Sequence, residues 1–120
     1  MKNKTFLFFA AVMFLFTVDS CQHHYPVSLV EADSLAYSNP KAALQKLDSL
    51  SLCLDTTQKA DVMYLRLLKM TAKDKLYMSF GTLDSVQSLA KYYEEEGDKH
   101  LLPRAYYMLG RRLCDMHDVP

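Results

Sequence analysis

An all-α fold of antiparallel helical hairpins is predicted by three features of the chain. Apolar residues recur at i, i+3, i+4 spacing through most of its length. Alternating, β-branched strand patterns are nearly absent. The segments between the periodic stretches are short, and short connections force neighbouring helices to run antiparallel.

Taken in order, five amphipathic helices are expected. The first runs from about Ser28 to Tyr37. In "NPKAALQKLDSL", Asn39 is placed to cap the second helix, with Pro40 at its first position, where a missing N–H costs nothing. Ala43, Leu44, Leu47 and Leu50 form its apolar side. The third helix begins near Thr57 and gathers Ala60, Met63, Tyr64, Leu67, Leu68 and Thr71 on one face. Val86, Leu89, Ala90 and Tyr93 stripe the fourth, which Gly97 stops, as glycine does just past a helix end. Leu102, Ala105, Tyr106, Leu109, Leu113 and Met116 stripe the fifth.

Ahead of these helices, Lys2 and Lys4 precede "TFLFFAAVMFLFTV", a positive start and an apolar run of secretory-leader length. The run falls short of the roughly 20 residues a membrane-spanning helix needs. Residues 1–20 are therefore read as a leader, residues 21–27 as a tether and residues 28–120 as the folded part. Removing Lys2, Lys4 and Asp19 with the leader takes the 14 basic and 14 acidic residues to 12 against 13. A balance so near neutral exerts no long-range pull on nucleic acid. Cys53 and Cys114 each sit in an apolar stretch and are expected as small buried thiols, with a disulfide between them the alternative in an oxidising compartment. No metal-ligand spacing is present, and no cofactor is expected. The adjacent His23 and His24 read as part of the tether.

The last helix separates a closed bundle from an open stack of hairpins. Tyr106-x-x-Leu109-Gly110-x-x-Leu113 fits the W-x-x-L-G-x-x-Y frame of the tetratricopeptide repeat. A glycine inside a helix costs about 1 kcal/mol against alanine, so Gly110 is expected to be compensated by close approach of a partner helix. Setting Ala60 against Ala105 also matches Met63 with Met108, Arg66 with Arg111 and Leu68 with Leu113. That offset exceeds the regular repeat of about 34 residues.

With its "TVDSC" lipobox, "LVEADSLAYSNPKAALQKLDSL" and "DSVQSLAKYYEEEGDKHLLPRAYYMLGRRLCDMHD", the chain resembles the tetratricopeptide-repeat lipoproteins of Bacteroidetes-type bacteria. The resemblance implies a TPR-like open solenoid, lipid attached to Cys21 and a place in the cell envelope. The lack of acidic residues directly after Cys21 favours the periplasm-facing side. Carried over with Gly110 at the repeat's glycine, the groove-facing positions are Arg104, Tyr107, Arg111 and Asp115, with Arg66 equivalent to Arg111. There an arginine can grip a ligand carboxylate by two bonds and a tyrosine offers flat contact area. The implied function is a lipid-anchored scaffold that holds a protein or peptide. The alternatives are the sensory segment of a longer transmembrane signalling protein and, behind it, a glycan-capture lipoprotein. Catalysis is not expected, since His100 and His117 are isolated near helix ends. Pro120 matches Pro40 as the start of a return helix, so the chain reads as an N-terminal piece of a longer protein. An uncovered stripe led by Leu109 and Leu113 would promote self-association.

Overall fold

The computed structural model describes residues 23–117. The expected leader, the expected lipidation site Cys21 and the expected return helix at Pro120 lie outside the described residues. Within them the chain is helical and has no strand: α1 (Val27–Ser38), α2 (Pro40–Cys53), α3 (Lys59–Lys75), α4 (Leu83–Glu95) and α5 (Leu102–His117). Among the described residues no helix is long and apolar enough to cross a membrane.

Local chemistry sets the helix ends. The Asn39 side chain accepts a hydrogen bond from the Ala42 amide at 3.2 Å, with Pro40 in the first turn, as its position in the sequence predicts. Thr82 caps α4 the same way, accepting from the Ser85 amide at 3.2 Å. The α3 terminus closes with the Met78 amide donating to the Lys73 carbonyl at 2.9 Å. The residue just before that amide is Tyr77, in the left-handed region at φ 58°, where glycine is usual. Gly97 does follow α4, but its φ is not positive. A Cβ there would lie 2.5 Å from Cδ1 of Tyr93 and 2.7 Å from Cε1 of Tyr92, so close approach of two rings demands the glycine.

Burial makes α3 the centre. Met63, Tyr64, Leu67, Leu68 and Thr71 are buried as expected, and so are Asp61, Leu65, Met70 and Ala72. A helix buried on almost every side must be packed from several directions. Indeed α3 contacts each of the other four helices, while α1 also packs on α2, and α4 on α5. The predicted stripe of α4 is buried in full, and Leu29, Ala32, Ala36, Ala43 and Leu47 complete the seam between α1, α2 and α3. Thr71 survives burial because its hydroxyl donates to the Leu67 carbonyl at 2.8 Å.

Three expectations are corrected. First, α5 buries Ala105 and Met108 on its inner side, whereas Tyr106, Leu113 and Met116 are exposed and Leu109 is only half-buried. The inner edge of α5 runs through Leu102, Ala105, Met108 and Leu109, Leu113 is left uncovered as the sequence reading allowed, and Tyr106 reaches α4 only through its hydroxyl, which donates to Glu94 at 2.7 Å. Second, a Cβ placed on Gly110 would meet nothing within 4 Å. Among the described residues, no helix approaches it closely. Third, Cys53 and Cys114 are free and exposed instead of buried, since each falls on the outer side of its helix.

The stretch read as a tether is also docked from His23 onward. His23 Nε2 lies 2.6 Å from Oδ1 of Asp61, which is 6% exposed. The Tyr25 ring stands 4.5 Å from that of Tyr64 and packs onto the core.

Candidate functional site

The inner ends of α1, α3 and α5 enclose a hollow of about 320 Å³ lined by Tyr37, Thr71, Asp74, Lys75, Pro103, Arg104, Tyr107 and Met108. A second hollow of about 460 Å³ shares Tyr37, Asp74, Lys75 and Tyr107 and adds Pro40, Tyr77 and Arg111. Together they form one groove, walled by three tyrosines that are 56% (Tyr37), 98% (Tyr77) and 62% (Tyr107) exposed.

Its arginines are already engaged. The Arg104 guanidinium grips the Asp33 carboxylate by two bonds of 2.9 Å each, and the Tyr64 hydroxyl donates to the same carboxylate. This cluster ties α5 and α3 to α1. Burial works against the Arg104 charge, but the fork to Asp33 outweighs it, so the guanidinium pKa ends above its ordinary value. Arg111 donates from Nε and from its terminal nitrogen to Oδ1 of Asp74, at 3.2 Å each, and lies 3.6 Å from Asp115. Its pKa is raised by that hydrogen bond. The Lys75 ammonium stands 4.9 Å from the Tyr37 ring centre, on which Arg104 also bears at 5.5 Å. Lys75 has no carboxylate partner among the described residues.

Of the sequence-derived groove residues, the structure brings together Arg104, Tyr107 and Arg111, with Asp115 touching Arg111. Arg66 is not among them. It lines a separate hollow with Met63, Ser88, Lys91 and Tyr92 between α3 and α4. At about 100° per residue, Arg66 points well away from Thr71, Asp74 and Lys75, which face the groove. The register that matched Arg66 to Arg111 aligned residue types and missed the groove's position near the C-terminal end of α3. The expected two-bond arginine fork does form, but on the chain's own aspartates. Sequence reasoning missed Tyr37, Lys75 and Tyr77. The "AYSNP" turn and the end of the α3 pattern marked helix ends, yet nothing in them indicated that two such ends meet.

The tyrosines also make an alkaline prediction. Burial raises the pKa of Tyr64 and Tyr93, with the hydrogen bond to Asp33 adding at Tyr64; burial and then the nearby Asp98 push Tyr25 from 10.0 up to about 12. These groups hold their protons more tightly folded than unfolded. Their stabilisation is therefore complete below pH 10 and is lost as pH rises through the raised values. Tyrosinate absorbance followed with circular dichroism should show these three ionising only together with loss of helix. Ionisation of all eight tyrosines near pH 10 with the helices intact would contradict their burial.

The chain matches no model of a known family, no curated protein and no solved structure.

Proposed function

We propose that the protein is a lipid-anchored, TPR-like helical scaffold of the bacterial envelope that holds an extended segment of another protein in the α1–α3–α5 groove. The arrangement of contacts supports a stack: α1, α3 and α5 contact in series, as do consecutive helices, whereas α2 and α4 do not touch. The observation that carries the reading is the exposed ring of Tyr77. Its left-handed backbone belongs to the hydrogen-bonded end of α3, but the almost fully exposed ring at the groove rim is not used by the fold itself. A ligand across the groove would cover it.

The ligand is recognised mainly through aromatic contact, because Asp33 and Asp74 already neutralise the arginines. Lys75 remains for a single carboxylate. Tyr77→Gly should therefore stabilise the fold by about 1 kcal/mol and weaken capture. A photo-crosslinking residue in place of Tyr107 should join the protein to one dominant envelope protein, with lower yield on the Tyr77→Gly background. The same residue in place of Leu52, exposed on α2, should not. Equal adducts from both positions, or none from the groove, would refute the reading. Anchoring is tested by Cys21→Ala, which should move the protein out of the membrane fraction.

Capture of a neutral glycan is favoured over its place in the sequence reading by the same three exposed rings, which offer stacking platforms. Retention on neutral polysaccharide, lost in Tyr107→Ala, with no crosslinked protein would select it.

A further inference from the structure

We propose that residues 23–26 act as a rigid strut that fixes how the protein stands on the bilayer, with the α3 N-terminus toward the lipid and the groove held away from it. The inference rests on lipid attachment at Cys21. That residue precedes His23 by two positions, so its reach is about 7 Å beyond the docked histidine. His23 is fixed by its contact with the buried Asp61, and its ring meets Tyr25 edge-on, 4.9 Å centre to centre. Tyr25 in turn is wedged against Tyr64. A chain held at both positions leaves a single residue between the docked histidine and the anchor.

Asp61 lies in the first turn of α3 and Lys75 at its end. Fourteen residues at 1.5 Å each separate them by about 21 Å. A lipid at Cys21 therefore seats Ala60, Glu96 and the Gly97–Asp98 turn, which share a hollow with His23 and Tyr25, at the headgroups, with Lys59 beside them through its 3.3 Å contact with Glu96. Tyr37, Lys75 and Tyr77 then open at the far end of α3, up to about 20 Å from the anchored end, where an extended partner can enter. The lipid-facing end carries Glu94, Glu95, Glu96 and Asp98 against Lys59 and Lys99. Its excess of acid makes the covalent anchor and the strut, not attraction to anionic lipid, the source of the orientation.

The chain has no tryptophan, so single reporters are free of background. Chain beginning at Cys21, with Cys53→Ser and Cys114→Ser, is coupled through Cys21 to a maleimide lipid in phosphatidylcholine vesicles bearing headgroup nitroxide quenchers. Coupling imposes the anchor whether or not cells attach one. Mass spectrometry of the native membrane-bound protein tests natural lipidation separately. Quenching should be several-fold stronger for Lys59→Trp than for Tyr77→Trp. Adding His23→Ala and Tyr25→Ala should bring the two reporters close to equality. So should inserting a ~20-residue Gly/Ser linker after Cys21, which leaves the fold untouched and spans roughly 25 Å. Equal quenching in the parent protein, or a contrast that survives the linker, overturns the strut.

Discussion

Asp33→Ala is expected to lower the unfolding free energy by about 2–3 kcal/mol, measured as a fall in the urea midpoint. The carboxylate accepts three hydrogen bonds, two from Arg104 and one from Tyr64, and joins helices 71 positions apart in sequence. Its removal leaves the Arg104 charge and the Tyr64 hydroxyl without their acceptor. Losing one partner of a fully buried pair costs about 3–5 kcal/mol, and here the side chains are 25% and 21% exposed, so water recovers part of it. Asp33→Asn keeps an acceptor for one donor and should cost less, about 1 kcal/mol. A double-mutant cycle with Arg104→Met isolates the fork. Strict additivity would mean that the pair contributes nothing beyond its separate members. Because α1 and α5 are joined mainly through Arg104, to Asp33 and over the Tyr37 ring, hydrogen exchange in α5 should rise more than in α2.

Leu67→Ala should cost about 3 kcal/mol and leave the fold close to its limit. Leu67 is fully buried on the helix that every other helix contacts, so the space it vacates cannot collapse from one side alone. Leu52, 91% exposed, is the control: its change to alanine should stay within about 0.5 kcal/mol. Comparable losses at the two positions would show that α3 is not the centre of the core.

These two residues mark how legible the protein was in its sequence. Leu67 belonged to a stripe that helical spacing alone placed on one face. The α4 stripe and the Asn39–Pro40 cap could likewise be read directly, because each depends on residues within one or two turns. The stripe of α5 could be read only in part: Leu102, Ala105 and Leu109 pack on the core, and the rest does not. Tyr106, Leu113 and Met116 are as apolar as the residues that α5 does bury, and the sequence contains no preference between the two sides. The groove followed the same pattern: Arg104, Tyr107 and Arg111 were found on one helix, whereas Arg66 was assigned through an alignment of residue types and points elsewhere.

Helix number, approximate limits, caps and the all-α class were set by the sequence itself, since hydrogen bonds at helix ends and the 3.6-residue period act over a few positions. Tertiary structure alone decided that Asp33 meets Arg104, that His23 meets Asp61, that no described side chain or helix packs against Gly110 and that Tyr37, Tyr77 and Tyr107 share one groove. Those contacts join segments tens of residues apart, and their geometry depends on the angle at which whole helices cross. No local residue pattern specifies that angle.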